Sequence, residues 1–184
     1  MKRKIITLLI VLLLLTVSAG IVSGIEQFNE ETIYVNDDAD SNWYDATHVK
    51  TIQEGLDNAS AHDTIFVYNG IYIENIVIDK TLTLTGEDKN KTIIDGDYKG
   101  NSIEIIEKDV TINGFTIKNS GRKENEAGIV IHSNGVLLQN NKIICNGRNG
   151  ISLFSASNCT ITQNILENNR YDGVYLSDES NFNK

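Results

Sequence analysis

The sequence predicts an all-β fold, a parallel β-helix solenoid, on three observations. The first is a period. Gly128, Gly150 and Gly173 each open the same short phrase (GIVI, GISL, GVYL), at spacings of 22 and 23 residues. Within each interval the order of residues repeats: Asn141 falls on Asn164, Ile143 on Leu166, and Asn146 on Asn169. Repeats of this length, made of short strands with Asn and Gly between them, mark a solenoid. The second is strict alternation of apolar and polar residues, as in Leu82/Leu84, Ile103/Ile105, Ile129/Ile131, Ile151/Leu153 and Val174/Leu176. Period two is the signature of a strand with one face in a core. The third is the turn chemistry. Proline is absent, and Asn and Gly, which tolerate positive φ, do the turning. An antiparallel sandwich of short strands is the competing architecture, but a sandwich needs no fixed period.

Taken from the N-terminus, residues 1–24 predict a secretory signal peptide or an N-terminal membrane anchor. Lys2, Arg3 and Lys4 precede an apolar run that ends in a small-x-small cleavage pattern at 17–19. Residues 25–62 hold a strand at 33–35, a polar loop at 36–43 and an amphipathic helix at 51–59. Val49, Ile52, Leu56 and Ala59 share one face of that helix. A solenoid would otherwise expose its core at the first rung, so this helix is the expected N-terminal cap. Residues 63–184 hold about five coils, the last incomplete. KTLTLTG at 80–86 and KDVTING at 108–114 are one phrase twice, and Thr64-Ile-Phe and Thr92-Ile-Ile are taken as another such pair. Successive coils add rungs at about 4.8 Å. Equivalent Asn residues then either hydrogen-bond along the stack or supply left-handed turn geometry. The segment Arg122-Lys-Glu-Asn-Glu126 makes its interval four residues longer than those that follow, which predicts a protruding loop.

The formal charge is −9, and near −12 without the three N-terminal cations. That excludes nucleic acid and anionic lipid surfaces as partners and suits a protein outside the cytoplasm, touching the membrane only through its N-terminal segment. Cys145 and Cys159 align with different places on the coil, so two buried or half-buried free thiols are expected rather than a bridge. Sequons at Asn58, Asn90 and Asn158 are candidate glycosylation sites. With one Met, two Cys and three scattered His (His48, His62, His132), no cofactor or metal is expected. Asp38-Ala-Asp40-Ser-Asn42 alternates oxygen ligands but lacks the Gly and distal Glu of an EF-hand, which favours a solvated loop.

From residue 51 onward the phrases TIQEGLDNA (51–59), DTIFV (63–67), NGIYIEN (69–75), LTLTG (82–86) and TIIDG (92–96) follow in order. This resembles the N-terminal part of right-handed parallel β-helix proteins of the pectin lyase-like superfamily, with the NosD-like group of carbohydrate-binding and sugar-hydrolase domains as the nearest likeness. The resemblance covers residue 33 to the end and implies the fold, its right-handedness and a cell-surface setting of the kind common in archaea, methanogens above all. It does not specify an activity. Gly70-x-Tyr72-x-Glu74 resembles a phrase of pectin methylesterases, but the aspartates and arginine such an enzyme needs have no match, and a structural role is favoured.

Polysaccharide hydrolysis on this fold needs clustered carboxylates. Traced coil by coil, one outward row contains Glu104, Val130, Ser152 and Tyr175, and the next Ile106, His132, Phe154 and Ser177. Glu104 and Glu107 with His132 form the one titratable group near a common face, so no catalytic residue is assigned. Phe154, Tyr171 and Tyr175 gather on adjacent coils and are the candidate ligand-binding residues, suited to stacking on sugars. The expected function is an exported, non-catalytic cell-surface module that binds glycans or envelope partners. The alternative is the N-terminal part of a polysaccharide lyase or hydrolase with its catalytic coils elsewhere. The last coil, opening at Gly173, is expected to leave an unpaired C-terminal edge prone to self-association.

Overall fold

The computed structural model describes residues 30–177, 179–181 and 183–184. The expected signal segment, 1–24, lies outside them. No helix among the described residues is long and apolar enough to cross a membrane.

The chain enters through β1 (Thr32–Val35), β2 (His48–Val49) and α1 (Ile52–Asn58), then winds through five coils of three strands each. The first coil is β3 (Thr64–Val67), β4 (Gly70–Ile73) and β5 (Ile76–Ile78); the second is β6 (Thr83–Gly86), β7 (Thr92–Asp95) and β8 (Ile103–Ile105). The third is β9 (Thr111–Asn113), β10 (Thr116–Lys118) and β11 (Ala127–Ile131); the fourth is β12 (Leu137–Gln139), β13 (Lys142–Ile144) and β14 (Asn149–Leu153). The fifth is β15 (Thr160–Thr162), β16 (Ile165–Glu167) and β17 (Val174–Leu176). Equivalent strands stack into three parallel sheets: sheet A with seven strands (β15-β12-β9-β6-β3-β1-β2), and sheets B (β16-β13-β10-β7-β4) and C (β17-β14-β11-β8-β5) with five each.

Parallel register places like on like. Ile65, Leu84, Ile112 and Leu138 run down the inside of sheet A. Ile94, Ile117 and Ile143 do so in sheet B, and Ile103, Ile129 and Ile151 in sheet C. All ten are fully buried. Each contributes roughly 1.5–3 kcal/mol by leaving water, which no single coil could realise alone. Phe115, also fully buried, fills the bend between β9 and β10.

The turns explain the repeated asparagines. The left-handed residue is the one before each repeated Asn: Asn140 (φ 53°), Cys145 (φ 55°), Gln163 (φ 56°) and Asn168 (φ 55°). The asparagines themselves form ladders. Asn141 Oδ1 accepts from the Phe115 N–H at 3.0 Å, and its Nδ2 donates to the Ile112 carbonyl at 2.9 Å. Asn164 does the same for the Asn141 N–H (2.9 Å) and the Leu138 carbonyl (2.8 Å). At the next bend Asn146 serves Ser120 N–H and Ile117 O, and Asn169 serves Asn146 N–H and Ile143 O. Of the two roles expected for these residues, the ladder is the one they play. The period-defining glycines follow from it. A Cβ on Gly150 would lie 2.7 Å from both Asn169 Nδ2 and the Gly173 carbonyl, and one on Gly128 would meet Asn146 Nδ2 and Gly150 O at 2.6 and 2.7 Å.

Four expectations need correcting. Thr64 and Thr92 are not equivalent: Thr64 pairs with Thr83 in sheet A, whereas Thr92 pairs with Gly70 in sheet B. The similarity of the two phrases reflects a shared strand pattern. The coil opening at Gly173 carries one strand, β17, as expected, but its edge is not left bare, because the residues after β17 run on beside β15. There Lys184 N–H donates to the Cys159 carbonyl at 2.9 Å and the Ile161 N–H to the Lys184 carbonyl at 2.7 Å. The sheet A edge is thus partly occupied, while Leu176 is exposed. The row Glu104–Val130–Ser152–Tyr175 has the expected register, but Val130 and Ser152 are buried. Both cysteines are free, as expected, and Cys159 is buried in the core, but Cys145 is exposed at a left-handed turn where a buried or half-buried thiol was expected.

The helix is shorter than its sequence pattern. Thr51 is the N-cap, accepting from the Glu54 N–H at 3.2 Å, and Glu54 accepts in return from the Lys50 N–H at 3.2 Å. Ile52, Gly55 and Leu56 are its buried residues. Gly55 lets α1 close on the strands, since a Cβ there would lie 3.2 Å from Val35 and 3.5 Å from Val49.

Candidate functional site

The outer face of sheet C carries the candidate site, and the loop between β10 and β11 makes it concave. That loop is exposed at residues 122–125. It is tied at its base by the Gly121 N–H donating to the Gly100 carbonyl (2.7 Å), and it is turned by the Glu126 carboxylate, which accepts from the Lys123 N–H at 2.6 Å. Its four extra residues do not simply project. Glu124 and Asn125 come over β11 and β14 and wall two neighbouring hollows. One, of about 410 Å³, has Val130, His132 and Phe154 for its floor, with Asn101 and Glu126 at its rim. The other, of about 170 Å³, is bounded by Phe154, Tyr175, Tyr171 and Arg148. The loop explains the buried Val130, and Ser152 is further engaged by Asn149, whose Nδ2 donates to its hydroxyl at 3.1 Å.

Parallel stacking puts His132 and Phe154 at equivalent positions, with Tyr175, the equivalent of Ser152, in the neighbouring row. His132 and Phe154 stack at 5.6 Å between centroids and 21° between planes, and Phe154 meets Tyr175 at 6.0 Å. Tyr171 lies at the far wall of the smaller hollow, with the Arg148 guanidinium 5.0 Å and that of Arg170 5.8 Å from its ring centre, in cation–π range. The Arg148 Nε is buried without a hydrogen-bond partner. The structure therefore brings Phe154, Tyr171 and Tyr175 around one hollow. Sequence tracing missed His132 as a stacking partner and the loop as a wall. The excess length of 122–126 was visible, but its direction depends on where Gly100 and Gly121 meet.

The titratable group differs from the expected one in its members. His132 Nε2 lies 3.6 Å from Glu104 Oε1, too far for a hydrogen bond and close enough for an ion pair when the imidazole is protonated. Asn101 Nδ2 donates to the other Glu104 oxygen at 3.4 Å. Glu107 is not part of this pair; its carboxylate accepts from the Lys108 N–H. Loop carboxylates Glu124 and Glu126 line the larger hollow with His132. These groups can order a polar ligand by hydrogen bonding.

Gly70-x-Tyr72-x-Glu74 is fully engaged in structure. The two Glu74 oxygens accept from the Ile52 and Gln53 N–H groups, both at 2.9 Å, so the carboxylate satisfies the first turn of α1. The Tyr72 hydroxyl donates to the Tyr68 carbonyl at 3.0 Å, and burial, together with the nearby Asp37 charge, pushes its phenol well above the ordinary range. Gly70 leaves room for Asp37, whose Oδ1 a Cβ would approach to 2.6 Å. The loop at 36–43 is organised by its own bonds: Asn36 Oδ1 accepts from the Asp38 N–H at 3.1 Å, and the Tyr44 hydroxyl donates to the Asn36 and Ala39 carbonyls. Among the described residues no group of three or more His, Cys, Asp or Glu could hold a metal ion. Asn58, Asn90 and Asn158 are all exposed. Asn58 Nδ2 donates to the Ala46 carbonyl and Asn90 Nδ2 to Asp88 Oδ1.

A family model described as the right handed beta helix region matches residues 29–184. A cell surface glycoprotein of Methanothermus fervidus is 34% identical over 164 residues, covering 88% of this chain and 21% of that protein. The chain thus spans about a fifth of that relative's length. Among solved structures, a pectin methylesterase from Erwinia chrysanthemi aligns with a TM-score of 0.47 and 16% identity, over 84% of this chain and 58% of that one. The residue 29–184 match takes in every coil described above, and the chain belongs to the right-handed β-helix family.

Proposed function

We propose that this chain is a cell-surface β-helix module, exported by its N-terminal segment and glycosylated at Asn58, Asn90 or Asn158, which contacts glycans through the groove on sheet C. One observation carries the binding reading: Phe154, Tyr175 and Tyr171 surround a single hollow walled by the loop residues Glu124 and Asn125. Aromatic surface beside carboxylate, amide and guanidinium groups is what a sugar needs, since its C–H faces are apolar and its hydroxyls are not. The relative from Methanothermus fervidus, named as a cell surface glycoprotein, supports the surface setting and the glycan attachment.

The test is binding of the purified full chain to an array of soluble oligosaccharides, with Phe154→Ala and Tyr175→Ala beside it. The reading expects a hit that weakens tenfold or more in both variants. Binding that survives both substitutions would remove the groove from the function.

A further inference from the structure

We propose that the outer face of sheet A is a second binding surface, built for an extended, uncharged polysaccharide lying along the solenoid axis. Two outward columns define it. The register stacks Thr64, Thr83, Thr111 and Thr160 in one column, interrupted by Leu137. It stacks Phe66, Thr85, Asn113, Gln139 and Thr162 in the other. None of these positions carries a charge, in a chain with 16 basic and 25 acidic residues. The other sheets differ: the outer columns of sheet B hold Asp95, Lys118, Lys142 and Glu167, and that of sheet C holds Glu104.

The polar groups in the columns are available. All are at least partly exposed. Among the described residues, the one side-chain hydrogen bond made by a column member is that of Asn113 Oδ1, which accepts from Asn140 Nδ2 at 3.3 Å. Hydroxyls and amides both donate and accept, as sugar hydroxyls do. Parallel rungs repeat them every 4.8 Å or so, comparable to the advance per unit of an extended β-linked glycan.

The columns run at their N-terminal end into an aromatic platform. Tyr34 lies 6.2 Å from Phe66 and stacks on His48 at 5.3 Å, and Phe66 meets Tyr68 at 5.2 Å. Trp43, the single tryptophan, closes the cluster at 4.7 Å from His48. Aromatic faces next to a neutral hydrogen-bonding lattice suit a neutral chain. An acidic polymer would meet a protein of net charge −9 and no cation in the columns.

The experiment is affinity electrophoresis of the full chain through gels containing xyloglucan, galactomannan or polygalacturonate, with pull-down on cellulose and chitin, and Trp43 fluorescence as the solution readout. Retention by at least one neutral polymer and none by polygalacturonate is expected. The pair Thr85→Lys and Gln139→Lys should weaken retention tenfold or more, whereas Glu167→Lys, at an exposed position on sheet B, should leave it unchanged. Circular dichroism checks that the pair folds, and Thr162→Lys, at an exposed position, is the second variant. Indifference to every neutral polymer overturns the proposal, as does retention that survives the sheet A lysines. Retention lost in Phe154→Ala but not with the sheet A lysines would place the ligand in the sheet C groove and remove it from sheet A.

Discussion

In the last three coils a pair of asparagine columns does at each bend what the N-terminal third does with a different side chain every time. Asn141, Asn164, Asn146 and Asn169 each accept one backbone N–H and donate to one carbonyl. Nearer the N-terminus the Asp63 carboxylate accepts from Glu31 and Ser60, Glu74 holds the start of α1, and Lys80 donates to the last carbonyls of the helix. Asn75 donates to the carbonyls of Gly96, Lys99 and Asn101. Both regions meet one requirement, that buried backbone groups be paired. The repeating solution distributes it over equivalent positions. The one-off solution concentrates it in residues with no counterpart elsewhere.

The largest loss of stability is expected from Asn141→Ala. The side chain is fully buried, and its loss orphans the Phe115 N–H in the middle of the stack and takes one hydrogen bond from the Ile112 carbonyl, which keeps its place in the sheet A ladder. At roughly 1–3 kcal/mol for the orphaned group and about 1 kcal/mol for the lost bond, about 3 kcal/mol of stability should go, lowering the melting temperature by roughly 6–12 °C for a chain of this size. Asn164→Ala, one rung nearer the end and partly exposed, should cost about 1 kcal/mol, because water can replace part of what it supplies. Equal effects at the two positions, measured by thermal or urea unfolding, would show that the ladder does not depend on burial.

Glu74→Gln probes the other region. The amide keeps the shape of the carboxylate but loses its charge and one acceptor, facing two helix N–H donors at 2.9 Å. About 1.5 kcal/mol is expected from loss of the charge-assisted cap. The effect should stay local. Amide hydrogen exchange should quicken in α1 and not in sheets A, B or C beyond the first coil, because coupling in a solenoid passes between neighbours. Loss of protection across all five coils would mean that α1 holds the whole stack together.

The same contrast decides what the sequence made legible. The fold, the core columns and the coil register from residue 82 onward could be traced because leucine, isoleucine, asparagine and glycine recur at positions whose environments recur. Phe154, Tyr171 and Tyr175 were traceable for the same reason, since their neighbours follow from the register. The helix at 51–59 showed its apolar face, but its partner Glu74, 22 residues away from Ile52, carries no local signal. The aromatic cluster of Tyr34, Trp43, His48, Phe66 and Tyr68 was hidden likewise, because β2 and the loop before it are inserted once and have no repeat to align against. Thr64 and Thr92 show the opposite failure, in which similar phrases occupy different sheets. Short β phrases look alike whichever sheet they enter, and only the intervals between turns tell them apart.

The smallest expected effect comes from the one interruption inside the regular region. Deleting residues 122–125 shortens the β10–β11 connection to the length found in the next two coils. The deleted side chains are exposed, they contribute nothing to the core, and shortening a surface loop changes its closure entropy by a few tenths of a kcal/mol. Stability should therefore move by less than about 0.5 kcal/mol. The groove should not survive so well, because Glu124 and Asn125 wall both hollows, and their removal leaves the His132, Phe154 and Tyr175 rings on an open face. A deletion variant that melts with the parent but binds no oligosaccharide recognised by the parent would separate loop from scaffold. If it unfolded instead, the interval from Ile117 to Gly128 would be part of the stacking register, and the regular region would begin one coil later than the ladders indicate.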